Sequence, residues 1–245
     1  MSTFARAFPN VKRICLRQVT ATLPSRADDM CWSHLDFLDM GNVEFRHPWI
    51  VTCKVRHLVL HLHRAVGSPK APVSVIQNAM PVVLELEINL QLNAKFWKRV
   101  ALVATRLRYL IIILKWDEES SLDEYSRTLK GWKSELPAFM HALKISCLRI
   151  CCPSPFPAAQ DILQDVPQAL KHVIPTLCYV ALEHHHSSAH SDWYDGRYDG
   201  WQSESTWWRI TTVGNDKSHS KVATDIGERV DAYMKSAEFE SSLAL

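Results

Sequence analysis

Pro9-Asn-Val-Lys-Arg-Ile-Cys-Leu16 is the stretch whose reading decides the fold. Its apolar residues stand at Val11, Ile14 and Leu16, which gives the offsets n, n+3 and n+5. The same offsets return at Leu35/Leu38/Met40, Val55/Leu58/Leu60, Val83/Leu86/Ile88, Leu107/Leu110/Ile112, Ile145/Leu148/Ile150 and Leu177/Val180/Leu182. Pro9, Pro81 and Pro175 lie two residues ahead of the first apolar position in their units. Side chains alternate across a strand, so the n+3 and n+5 residues share one face and their neighbours point the other way.

Parallel strands need crossovers, and helical periodicity falls between the units. Ala94 to Thr105 places Phe96, Val100 and Val103 on one stripe, with Asn93 as its N-cap. Leu122 to Leu143 spaces Leu122, Tyr125, Leu129, Trp132, Leu136, Phe139 and Leu143 by threes and fours. Ser121 with Glu124 forms a capping box there, and Pro137 is expected to kink or split the helix. Ala158 to Val173 reads as a helix through Ile162, Val166, Leu170 and Val173. Lys221 to Phe239 reads likewise through Val222, Ile226, Val230 and Tyr233.

Successive units are separated by 24, 20, 28, 24, 38 and 32 residues. A leucine-rich-repeat unit runs about 20–29 residues, so the two longest steps call for insertions. The residues three beyond the last apolar position are Val19, Val43, His63, Gln91, Lys115, Pro153 and His185, not the Asn or Cys usual there. The repeats are degenerate. The expected fold is α/β, an irregular leucine-rich-repeat-like solenoid over residues 8–211, with a parallel sheet on one side and helices on the other. Residues 212–245 are expected to supply a C-terminal capping helix, because a solenoid's open end must be covered. The competing architecture is a doubly wound α/β domain, which does not require seven copies of one pattern.

Composition narrows the function classes. The chain of 245 residues carries a net charge of +2, too balanced to argue for nucleic acid or an anionic membrane surface. It has only 7 glycines, which lowers the prospect of a glycine-rich phosphate cradle. Its 7 cysteines follow no framework spacing, and none of the asparagines begins an Asn-x-Ser/Thr triplet. Met1 to Leu16 contains no apolar core of a signal peptide, and no apolar run reaches membrane length. A reduced, cytoplasmic or nuclear protein is expected.

Phe8-Pro-Asn-Val-Lys-Arg-Ile-Cys-Leu16, Val55-Arg-His-Leu-Val-Leu60, Leu107-Arg-Tyr-Leu110 and Ile174-Pro-Thr-Leu-Cys-Tyr-Val-Ala-Leu182 resemble the repeat region of F-box and leucine-rich-repeat proteins, the fungal families especially. The aromatic segment ending Trp207-Trp208-Arg209 adds to the resemblance, which spans most of residues 8–211. It implies repeats that hold a protein substrate while an F-box docks the Skp adaptor of a cullin–RING ubiquitin ligase. The F-box, a three-helix segment opening on Leu-Pro, has no counterpart here, because the first repeat begins at Phe8. The chain is therefore expected to be a truncated member or a repeat-only paralogue.

On this register the open sheet face carries Arg13, Cys15 and Arg17, then Phe37 and Asp39, then His57, Val59 and His61. Glu85, Glu87 and Asn89 follow, then Tyr109, Ile111 and Ile113, then Cys147, Arg149 and Cys151, then Tyr179, Ala181 and Glu183. This face is the expected protein-binding surface. Tyr109, Ile111 and Ile113 form an apolar centre rimmed by Glu85, Glu87 and Arg149, the usual build of an interface hot spot. A strand covered on both sides would show the same apolar run, so the exposure of Tyr109 and Ile111 decides.

No cofactor or metal is expected. Glu183-His-His-His-Ser-Ser-Ala-His190-Ser-Asp192 reads as a solvated loop, since three adjacent histidines cannot all face one ion. Cys147, Cys151 and Cys152 lack paired zinc spacing and read as small surface contacts. Asp192, Asp195 and Asp199 miss the spacing of a calcium loop, and the segment reads as an aromatic loop with two Asp-Gly turns, at Asp195 and Asp199. Asp117-Glu118-Glu119 reads as the acidic cap of the following helix. No nucleotide, hydrolase or zinc-protease motif is present. The function expected is a non-enzymatic, protein-binding repeat scaffold that touches neither nucleic acid nor membrane; the alternative is an unrecognised intracellular α/β enzyme.

Overall fold

The computed structural model describes residues 8–16, 32–41, 53–62, 70–90, 94–115, 121–153, 157–186, 202–214 and 216–243. Nine strands form one sheet in consecutive order: β1 (Arg13–Cys15), β2 (His34–Asp39), β3 (Lys54–His61), β4 (Val83–Ile88), β5 (Tyr109–Leu114), β6 (Cys147–Pro153), β7 (Tyr179–His186), β8 (Gln202–Val213) and β9 (Asp216–Val222). Strands β1 to β7 pair in parallel; β8 and β9 add antiparallel. The sheet is mixed, mostly parallel and open. A doubly wound sheet reverses its strand order part-way, and this one does not.

The register follows the apolar offsets with one exception. Ile14 lies opposite Leu38, Leu38 opposite Leu58, Leu110 opposite Leu148 and Leu148 opposite Val180. Leu58, however, pairs with Leu84 rather than Leu86, so the fourth unit slides by two residues. A slip of two keeps every side chain on its face; a slip of one reverses them all. Leu84, Leu86 and Ile88 alternate in β4, so their apolar pattern looks the same after a two-residue shift. Only backbone pairing with β3 and β5 chooses between the registers.

Between the strands lie α1 (Lys70–Ala79), α2 (Ala94–Val103), α3 (Leu122–Met140), α4 (Pro157–Leu163) and α5 (Val166–Leu170). Their inward residues, among them Ile76, Trp97, Val100, Leu129, Trp132 and Leu170, join Leu60, Leu86, Leu110, Leu148 and Leu182 in one core. Ser121 Oγ accepts from the Glu124 amide and starts α3 as the capping pattern predicts. Pro137 does not split that helix; it sits in the last turn, and α3 ends at Met140. Leu122 is exposed rather than buried. The single helix expected over Ala158 to Val173 is two: Pro167 has no N–H for the Leu163 carbonyl and its ring crowds that turn, so α4 ends at Leu163 and Pro167 sits in the first turn of α5. Asn93 and Asp117 to Glu119 lie outside the described residues.

The C-terminus departs most from expectation. Among the described residues no helix caps the end of the sheet; β8 and β9 extend it instead. Val222, expected to be helical, ends β9. After it, α6 (Thr224–Met234) and α7 (Ala237–Ser242) lie across the opposite sheet face. Met234 and Phe239 join Val83, Tyr109, Ile111, Cys147, Ala181 and Trp207 in a second core. Helices therefore cover parts of both faces, not one. Gly227 marks the tightest approach: a Cβ there would meet the Trp207 ring at 2.1–2.4 Å. Trp207 is buried and has no room to turn aside. Gly227→Ala is expected to lift α6 and cost about 1–3 kcal/mol in chemical denaturation; unchanged stability would show that the contact is not tight.

Candidate functional site

Three rows cross the face opposite α1 to α5. The first runs Arg13, Phe37, His57, Val83, Tyr109, Cys147, Tyr179. The second runs Cys15, Asp39, Val59, Glu85, Ile111, Arg149, Ala181, Trp207. The third runs His61, Glu87, Ile113, Cys151, Glu183. The expected face is thus one surface, except Arg17, which lies outside the described residues, and Asn89, which follows the end of β4.

Its expected exposure is corrected at the centre. Tyr109 is 0% and Ile111 3% exposed, beneath this chain's own C-terminal helices. Ile113 and Tyr179 are half-buried at the edge of that cover. Cys147 and Cys151 are buried there too and are not surface contacts; burial pushes both thiols well above their usual range. Such thiols stay protonated near neutral pH and are poor nucleophiles.

Polar bonds tie the helices down. The Tyr109 hydroxyl donates to Asp231, which also receives Arg149 Nη1 at 2.8 Å and Lys235 Nζ at 2.9 Å. Burial works against ionisation of Asp231, but Lys235, Arg149 and the Tyr109 hydroxyl outweigh it and hold the carboxyl below its usual range. Arg149 also grips Glu183 through Nε and Nη2, both at 2.7 Å. At the far end Arg56 donates to the Lys235 carbonyl, and Arg106 pairs with Glu240. None of Arg56, Arg106, Gly227, Asp231 or Glu240 was legible as a site residue, because each partner is far along the chain. The spacing of Asp231 and Lys235 by four was the only local signal.

Toward β1 the face lies beyond the second core, although Glu240 of α7 still comes within 4.0 Å of His34 in β2. The exposed Arg13 guanidinium sits 4.6 Å from the Phe37 ring centroid, and Phe37 meets His57 edge-on at 5.0 Å. His57 Nε2 lies 3.3 Å from Glu85. His61 stands between two carboxylates, with Nε2 at 3.3 Å from Asp39 and Nδ1 at 2.9 Å from Glu87. Glu87 is buried rather than open, and it also receives Lys115 Nζ at 3.2 Å.

Burial alone would lower the His61 pKa, but the hydrogen bonds and charges of Asp39 and Glu87 raise it to about 9. The ordinary value, about 6.5, applies to the unfolded chain. A raised folded pKa stabilises fully below the unfolded value and loses that effect as pH climbs through the folded one. His61 should therefore contribute about 3 kcal/mol below pH ~6.5, with most of it gone above pH ~9. Urea unfolding of wild type and His61→Gln should converge across that window. Parallel stability curves would exclude the charged clamp.

No protein-family model matches the chain, and no curated protein or solved structure matches it. The site is therefore read from its own geometry. Among the described residues no cluster of three His, Cys, Asp or Glu side chains is placed to hold a metal ion, and no helix is long and apolar enough to cross a membrane. Glu183 and His184 belong to β7 and are buried, not part of a solvated loop. Residues 187–200, with His190, Asp192, Asp195 and Asp199, lie outside the described residues.

Proposed function

We propose that this chain is a protein-binding scaffold of the leucine-rich-repeat kind, whose interaction surface is the sheet face opposite α1 to α5. The observation that carries this is the consecutive run β1 to β7, with every described crossover helix packed on one side. That arrangement leaves the other face to be filled by something else. Exposed Arg13 and the partly buried Phe37, Asp39, His57, His61 and Glu85 form the part of it outside the second core, an aromatic and charged mixture suited to protein contact. The finer reading, a substrate-recognition part of an F-box-type ubiquitin ligase working with Skp adaptor and cullin in the cytoplasm or nucleus, rests on the resemblance of the repeats.

Affinity capture with the full chain tests both levels. Arg13→Glu with His57→Ala and Glu85→Lys is expected to abolish capture of the partner. Arg127→Glu with Lys130→Glu, on the exposed side of α3, is expected to retain it. Skp adaptor and cullin among the captured proteins would support the ligase reading. Equal capture by both variants would overturn the scaffold face and favour the alternative, an intracellular α/β enzyme.

A further inference from the structure

The helices α6 and α7 cover a surface built like an interface. Beneath them lie Val83, Tyr109, Ile111, Cys147, Ala181 and Trp207, an apolar and aromatic patch. Around it stand the guanidiniums of Arg56, Arg106 and Arg149, each engaged by the helices. Aromatic and arginine anchors are what dominate binding energy at protein interfaces. The occupant, by contrast, buries few apolar side chains. Within α6 only Gly227 and Met234 are buried, and within α7 only Phe239. Ile226 and Tyr233 remain partly exposed. A segment with few buried apolar contacts opens at a lower free energy than the strands below it.

We infer that α6–α7 is a displaceable occupant of the interaction face, and that the partner seated there is an acidic amphipathic segment of two short helices. The inference rests on the scaffold reading and deepens it. The occupant states the chemistry its replacement must reproduce. A small residue approaches the Trp207 ring, as Gly227 does. A carboxylate follows one turn later to meet Tyr109 and Arg149, as Asp231 does. A second carboxylate reaches Arg106 and Arg56, as Glu240 does. An internal segment that already fills the site lowers the apparent affinity for a competitor by the fraction of chains in which it is open. Partner binding is thereby coupled to release of the C-terminus.

Two thiols read the opening directly. Cys147 lies under α6–α7, whereas Cys152 lies in the core on the other sheet face. Pulse alkylation of the full chain, resolved by peptide mass spectrometry, should label Cys147 while Cys152 stays protected. Asp231→Ala with Glu240→Ala should speed Cys147 labelling at least about tenfold and leave Cys152 unchanged. Should that double variant expose Cys152 as well, Glu240→Ala alone decides by the same two thiols. A synthetic peptide of residues 223–243 should bind the double variant about tenfold more tightly than wild type. The same peptide carrying Asp231→Arg should not bind. Equal labelling of Cys147 and Cys152, or equal peptide binding to variant and wild type, would overturn the inference. Neither result touches the scaffold reading, which stands or falls on capture by Arg13, His57 and Glu85.

Discussion

Arg149→Met is expected to destabilise the fold by about 3–5 kcal/mol in urea denaturation. The guanidinium is largely buried and bridges two carboxylates, Glu183 at 2.7 Å and Asp231 at 2.8 Å. Burial works against its charge, but Cys151, Tyr109, Glu183 and Asp231 outweigh that and push its pKa up. Methionine fills a similar volume without charge, so packing is mostly kept. What is lost is the compensation of Glu183, whose side chain is 6% exposed. A buried carboxylate that loses its cation costs more than the pair had contributed. The second variant follows from the same reasoning: adding Glu183→Leu to Arg149→Met should recover most of the loss, because an apolar pair of like volume often equals a buried ion pair. A near-neutral single variant, or a double variant no better than the single, would show that Arg149 does not hold the two carboxylates together.

Leu110→Ala should cost about 2–5 kcal/mol, and Leu60, Leu86 and Leu148 should behave alike. All four are 0% exposed and belong to the core between the sheet and α1 to α5. Leu110 is flanked by Leu84 and Leu148 on the neighbouring strands, so the cavity left by truncation has rigid walls. Leu102, on the outer side of α2, is 77% exposed and supplies the contrast. Leu102→Ala should change stability by no more than about 0.5 kcal/mol. The shift should appear in the denaturation midpoint with an unchanged slope, since the surface exposed on unfolding barely alters. Similar values for Leu110→Ala and Leu102→Ala would show that β5 does not bury this face.

What the sequence by itself determined is local and periodic. Alternation along each strand decided which side chains share a face, and that survived even where β4 slid by two residues. The spacing of Tyr125, Leu129, Trp132 and Leu136 was enough to place α3 and its buried stripe, because a helix's period is written within a few turns. The consequence of Pro167 was readable in principle, since a proline has no N–H with which to carry a helix through it. The strand β9 was missed because its polar residues, such as Lys217, Ser218 and His219, carry no apolar alternation.

Only the tertiary structure decided what covers the face. Tyr109, Ile111 and Ile113 read equally well as an open hot spot or as a strand buried on both sides, and hydrophobicity is non-directional. The deciding contact joins Tyr109 to Asp231, which lies 122 residues further along the chain. No spacing rule reaches that far. The amphipathic pattern of α6 announces an apolar stripe but not the surface it meets, and Gly227 reads as a weakness in a helix until Trp207 is seen against it. Likewise Asp39, His61, Glu87 and Lys115 come from four separate units, and only the stacking of β2, β3, β4 and β5 brings their charges within bonding distance. Periodicity encodes which way a residue points; what it finally touches depends on loop closures and competing surfaces that exist only once the whole chain has folded.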